Sequence, residues 1–111
     1  MQPMEKAKNI KNIMNDTCKS YGYNVQISAR YEDNEGKIHF DEIGKDNVPA
    51  NATVLNDDTV LIEIEYVWFE NTVNFVLILA DIIRNFQNQK FVVKEIHKRL
   101  SVKTIWMIID N

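Results

Sequence analysis

This 111-residue chain has few of the residues from which common catalytic and metal-binding motifs are built. It contains one cysteine, three glycines, two prolines and two histidines. One cysteine cannot form an internal disulfide, which is typical of a chain in a reducing compartment, and so few glycines provide no Gly-rich phosphate loop. His39 and His97 lie far apart in the sequence and without the spacing of a zinc site, so we predict no metal and no other cofactor.

Long apolar runs and a net positive charge are also missing. The most apolar window, residues 73–83, contains Asn74 and Asp81 and is shorter than the roughly 20 residues that a membrane span needs. The N-terminus lacks the apolar core of a signal peptide. The net charge of −3 has the wrong sign for a protein that holds nucleic acid by bulk charge. We therefore predict a cytoplasmic protein that binds neither a membrane nor nucleic acid directly.

Apolar periodicity predicts two amphipathic helices. The first covers residues 3–21, with Pro3 in its first turn and Gly22 just after its last turn. The second begins at Asn71 or Thr72 and ends near Asn88. Its polar side chains lie opposite an apolar stripe so wide that it indicates burial on more than one side. The stripe consists of Phe75, Val76, Leu79, Ile82, Ile83 and Phe86.

Residues of alternating polarity predict an antiparallel hairpin and a third strand. The hairpin pairs residues 23–31 with residues 37–43 around the turn Asp33-Asn34-Glu35-Gly36, where glycine suits a positive φ. Residues 44–51 are predicted to form a loop, and residues 56–58 a turn or bulge. β-branched and aromatic side chains over residues 60–69 form the clearest strand pattern in the chain.

The C-terminal quarter has two interpretations. Val92, Val93, Ile96 and Leu100 fit a short helix, although residues 91–102 also fit a strand; a final strand is predicted over residues 102–109. The whole chain is then one α+β domain, residues 1–111, with a mostly antiparallel sheet covered on one face by helices. The expected element order is α-β-β-β-α-(α)-β.

No pattern predicts an enzyme. The segment from Tyr31 to Glu42 resembles a calcium loop in spacing, but Tyr31 stands where the first carboxylate ligand belongs, and its flanks alternate like strands. Cys18 lies on the apolar stripe of the first helix, with no local motif that provides a base for nucleophilic catalysis. We therefore predict a non-enzymatic protein.

Charge is distributed unevenly along the chain. Residues 1–30 carry a net +3, residues 31–70 carry eleven acidic and two basic residues for a net −9, and residues 71–111 carry a net +3. Such an acidic region can attract and orient a basic partner protein, as inhibitors do when they present carboxylates where the target expects phosphates. The predicted partner-binding residues are Glu32, Asp33, Glu35, Asp41, Glu42, Asp57, Asp58, Glu63 and Glu65.

Three alternatives remain open at this point. Helix lysines can neutralise the acidic segment internally, which leaves no binding surface. The apolar C-terminal strand, with Trp106 and Met107, can mediate self-association, which predicts a chaperone-like or assembly subunit that forms a homodimer. A pocket between helix and sheet near Tyr66, Trp68 and Tyr31 can bind a small ligand.

Overall fold

A computed structural model describes residues 2–41, 48–68, 72–99 and 103–110. It confirms the α+β class, with two helices and one six-stranded sheet. The elements are α1 (Pro3–Ser20), β1 (Ile27–Glu32), β2 (Ile38–Phe40), β3 (Ala50–Val54), β4 (Val60–Glu65), a short 3₁₀ helix (Tyr66–Trp68), α2 (Thr72–Asn88), β5 (Val92–Arg99) and β6 (Thr104–Asp110).

The sheet is mixed, with strand order β2-β1-β3-β4-β6-β5. The predicted hairpin is present as the antiparallel pair β1–β2, and Gly36 in its turn has a φ of +82°. All other neighbouring pairs are antiparallel except β1–β3, which is parallel. This one parallel pair makes β1 and β3 end at the same edge of the sheet, so the turns that follow them are neighbours.

Both helices lie on one face of the sheet and close a single apolar core. α1 contributes the predicted stripe, including Ala7, Ile10 and Met14, and packs over β1 and β3, where Ala29 and Ala52 leave room for it. Small side chains in the sheet let a helix approach closely, and burial of the larger ones provides most of the stabilisation. The remaining core side chains come from α2, β4 and β6, namely Phe75, Ile78, Ile82, Phe86, Val60, Ile62, Ile64, Ile105, Met107 and Ile109.

The short helix predicted from Val92 to Leu100 is wrong, and the alternative interpretation is right. Residues 92–99 form the edge strand β5, which pairs antiparallel with β6 over its whole length. A β-bulge at Val93–Glu95 shifts the register by one residue. Val93 and Ile96 therefore both face the helices although they are three positions apart, a spacing that imitates helical periodicity.

One strand and one strand boundary also differ from the prediction, because the expected order has three strands before the second helix and the structure has four. β3 begins at Ala50, inside the segment predicted to be a loop, because its alanines and Asn51 give little hydrophobic signal although the strand is buried between β1 and β4. β4 ends at Glu65 rather than near Phe69, and the chain then forms the 3₁₀ helix. Pairing with two neighbours stabilises β3 beyond what its sequence pattern indicates.

α2 is rotated relative to the orientation that its sequence pattern predicts. Ile78, which is not part of the predicted stripe, is fully buried, whereas Val76, which is part of it, is exposed. The polar side of the helix contacts α1, because Asn85 Nδ2 donates to Thr17 Oγ1 at 2.9 Å and the Tyr21 hydroxyl donates to Asp81 Oδ2. Hydrogen bonds between the two helices therefore satisfy side chains that the periodicity assigns to solvent.

Candidate functional site

Five of the predicted partner-binding carboxylates converge at one end of the sheet, and we call this group the acidic rim. The β1–β2 turn and the β3–β4 turn are adjacent there, because β1 and β3 are parallel. The backbone N–H of Asn56 donates to Glu32 Oε1 at 3.1 Å and so links the two turns. The rim comprises Glu32, Asp33, Glu35, Asp57 and Asp58.

Asp33 organises the first turn of the acidic rim. Its Oδ1 accepts hydrogen bonds from the backbone N–H groups of Glu35 and Lys37, both at 2.9 Å, and its Oδ2 lies 2.8 Å from His39 Nε2. The hydrogen bond with His39, followed by the bond from Lys37, lowers the pKa of Asp33. The His39 ring in turn stacks on Tyr31 at 4.5 Å. Asp33 therefore shapes the turn and keeps its negative charge to low pH.

Asp57 has the same function in the second turn. Its Oδ1 accepts from the Thr59 hydroxyl at 2.6 Å and from the Thr59 backbone N–H at 3.1 Å, and these bonds lower its pKa. Asp58 adopts a left-handed backbone conformation with a φ of +72°, which aspartate tolerates better than most residues. The turn chemistry of both residues thus holds their carboxylates at the edge of the sheet.

Lys6 of α1 is buried beside the acidic rim, although lysines usually lie on the solvent side of an amphipathic helix. Its side chain is 8% exposed, and its ammonium donates to the backbone carbonyl of Asp58 at 2.8 Å. The carboxylate of Asp58 lies 3.4 Å away and is 77% exposed. Lys6 precedes Ile10 by one helical turn, and this spacing is the signal that places it beside the core. It anchors α1 to the rim and leaves most of the Asp58 carboxylate accessible to solvent.

Glu63 and Glu65 are not part of the acidic rim. Both project from β4 on the face of the sheet that has no helix, where Glu63 is opposite Asn51 of β3 and Trp106 of β6. Glu65 is opposite Thr104 at the other end of β4. Both glutamates lie on the same side of one strand, and their positions along β4 separate them from the two turns.

Asp41 is buried under α1 and cannot contact a partner in the folded protein. Its side chain is fully buried, and Oδ2 lies 2.7 Å from the ammonium of Lys11, whose side chain is 15% exposed. The interpretation that helix lysines neutralise the acidic segment is therefore correct for this carboxylate. Glu42, the remaining predicted binding residue, lies outside the described residues.

The two residues predicted to mediate self-association face opposite sides of β6. Met107 is fully buried among the core side chains and so is inaccessible to a second chain. Trp106 is half-buried on the helix-free face, where it stacks on His97 at 4.1 Å and lies 5.0 Å from the Arg99 guanidinium carbon. Alternation along the strand explains the difference, since neighbouring residues point to opposite faces.

The remaining chemistry-bearing side chains form no catalytic constellation within the described ranges. Burial raises the pKa of Cys18 to about 11, so its thiol stays protonated at neutral pH and is a poor nucleophile. No cluster of three metal-ligating side chains occurs in the part of the chain that the structure describes. Tyr31 and Tyr66, predicted to share a pocket, lie at opposite ends of the sheet, and the side chain of Trp68 is outside the described structure.

Comparison with known proteins gives no relative from which a role can be transferred. The chain matches no protein-family model, no curated protein and no solved structure. Of the helices within the described residues, neither has the length and hydropathy required to cross a membrane. Any functional assignment therefore depends on the geometry and charge of the chain itself.

Proposed function

We propose that this protein is a non-enzymatic binding protein that engages the basic surface of another protein through the acidic rim. The observation that carries this proposal is the convergence of two turns, with five carboxylates, at one end of the sheet. Among the described residues, the basic side chains that contact these carboxylates are Lys6 at Asp58 and His39 at Asp33, so acidic groups outnumber basic ones there. A surface of one sign accelerates the encounter with an oppositely charged partner and orients it.

The rim also has a shape that suits basic side chains. A cleft of about 370 Å³ lies between the two turns and the first turn of α1, and Glu32, Asp33 and Asp58 are among its lining residues. Carboxylates that are held by turn hydrogen bonds lose little conformational entropy when they accept a bond from arginine or lysine. An arginine or lysine of the partner inserted into this cleft is the contact that we propose.

Neutralisation of the rim is expected to abolish partner binding without loss of fold. In the variant Glu32→Gln/Glu35→Gln/Asp58→Asn, each amide keeps the size of the carboxylate, and the amide introduced by Glu32→Gln retains an oxygen that accepts the bond from Asn56. Wild-type and variant proteins serve as baits for affinity capture from the native host, quantified by mass spectrometry. Basic proteins that the wild type retains at about 0.05 M salt should not be retained by the variant, which lacks three of the negative charges. The wild type should also release them at about 0.5 M salt, because salt screens the attraction between the charges.

The matched control is Glu63→Gln/Glu65→Gln, which removes acidic charge from the helix-free face. It should retain the same basic proteins as the wild type. Equal capture by the rim variant and the wild type would contradict the proposal. If the control variant lost the basic proteins and the rim variant kept them, the binding surface would lie on the helix-free face instead.

A homodimeric assembly subunit is the second candidate, and exposed apolar side chains on α2 favour it. Val73 and Leu77, one helical turn apart, are 67% and 48% exposed. If they form a dimer contact, sedimentation velocity from about 1 µM to about 1 mM should show a concentration-dependent dimer that Val73→Ser/Leu77→Ser abolishes. A strict monomer over this range would exclude the second candidate and leave the first unaffected.

A further inference from the structure

A groove between α2 and the C-terminal strands has a lining unlike that of the acidic rim. It lies at the end of β6 where the strand begins and encloses about 510 Å³. Its walls are largely apolar, with Tyr66 from the 3₁₀ helix, Phe75, Val76 and Leu79 from α2, and Ile105 from β6. Its volume is within the range of small-molecule sites, which are mostly apolar with a few polar groups that fix orientation.

Those polar groups are two lysines. The Lys98 ammonium lies 5.3 Å from the centroid of the Tyr66 ring, and Lys103 lines the same groove. Within the described ranges neither lysine forms an ion pair with a carboxylate. Both lysines are exposed, and two ammonium groups beside an apolar wall attract an anionic group to that place.

The β-bulge in β5 is the reason that Lys98 points into the groove. Before the bulge, Val93 pairs with Ile109 on the helix side of the sheet; after it, Lys98 pairs with Ile105 on that same side. Without the extra residue, strict alternation would direct Lys98 to the helix-free face. Lys103 has a left-handed backbone conformation with a φ of +51°, and its carbonyl accepts the Tyr66 N–H at 3.1 Å. Local backbone geometry thus positions both the cationic and the aromatic parts of the groove.

We propose that this groove binds a small anionic amphiphile, a medium-chain alkyl carboxylate, with its carboxylate at Lys98 and Lys103 and its alkyl chain along Val76 and Leu79. The apolar walls remove the chain from water, and the two exposed ammonium groups attract the carboxylate at the mouth of the groove. A neutral polar ligand would bring no charge to the two ammonium groups, and a cationic amphiphile would be repelled. This site is separate from the acidic rim and does not depend on the proposed partner binding.

Decanoate is the probe that we suggest, titrated below its micellar concentration and followed by calorimetry and by NMR shifts. It should bind saturably, one per chain, with shifts at Tyr66, Leu79 and Ile105. Decyltrimethylammonium, which has the same alkyl chain with a positive charge, should bind at least about tenfold more weakly. Lys98→Met/Lys103→Met should weaken decanoate by about tenfold or more while decanol binding is unchanged.

Lys94→Met is the matched control, because Lys94 lies on the same strand but outside the groove. It should bind decanoate like the wild type, and unfolding curves should show that all variants are folded. Equal decanoate affinity of the double variant and the wild type would overturn the proposal. NMR shifts centred on Val73 and Leu77 would also overturn it, because they would indicate self-association. Binding of decanoate only as micelles or in vesicles would overturn it too, because that would indicate a lipid surface.

Discussion

Replacement of Phe86 by alanine is expected to destabilise this protein by about 3–5 kcal/mol, because truncation of a fully buried aromatic side chain leaves a cavity as well as removing its burial. Among the described residues, Phe86 is the largest fully buried side chain, and it meets the Phe91 ring edge to face at 6.3 Å. Its carbonyl accepts the N–H groups of Gln89 and Phe91, both at 3.0 Å, where α2 ends. The change therefore loosens the contact between the end of α2 and the start of β5.

Urea unfolding measures this loss, with Phe86→Leu as a milder variant should the alanine variant fail to fold. Phe86→Leu keeps most of the volume and should cost about 1–2 kcal/mol. Leu77→Ala is the control on the same helix, and its exposed side chain should make the change smaller than about 0.5 kcal/mol. If Phe86→Ala were no more destabilising than Leu77→Ala, the result would contradict the burial of Phe86 between α2 and the sheet.

Removal of one partner from the Lys11–Asp41 ion pair should cost about 3 kcal/mol or more, because the other charge stays buried and loses this ion pair. The two charged atoms are 2.7 Å apart, and the Asp41 side chain is fully buried. Asp41→Leu and Lys11→Met each leave one buried charge without its partner in this ion pair. The double variant leaves neither and should regain most of the lost stability, so the two changes are strongly non-additive.

A double-mutant cycle by urea unfolding tests this coupling, and the chain offers a matched exposed pair. Lys94 Nζ lies 3.5 Å from Asp110 Oδ2, with side chains 54% and 38% exposed. The coupling of that pair should be below about 1 kcal/mol, as is usual for solvated ion pairs. Additive effects of the Lys11 and Asp41 substitutions would show that Asp41 does not depend on Lys11 for its charge compensation.

Local sequence signals are accurate where short-range chemistry dominates. Pro3, Gly22 and the apolar spacing between them predict α1, because helix ends and helix faces depend on residues a few positions apart. Gly36 and the alternation around it predict the β1–β2 hairpin for the same reason. The acidic character of residues 31–70 also follows from the sequence alone.

Long-range pairing explains what the sequence pattern misses. β3 has weak strand signals, and its pairing with β1 and β4 decides that it is a strand. The polar side of α2 faces α1 because Asn85 and Asp81 of α2 form hydrogen bonds with side chains at the C-terminal end of α1. In this orientation Val73 and Leu77 are exposed to solvent. No local period encodes which of two amphipathic surfaces a helix will meet.

The candidate sites show the same division. The sequence by itself determined the α+β class, the hairpin and a strongly acidic middle segment, because turn residues, periodicity and charge are properties of neighbouring residues. Only the tertiary structure decided that the parallel pair β1–β3 brings two acidic turns together, that Asp41 is neutralised by Lys11, and that a β-bulge directs Lys98 into an apolar groove. These three outcomes depend on strand order and register, which contacts between distant segments fix.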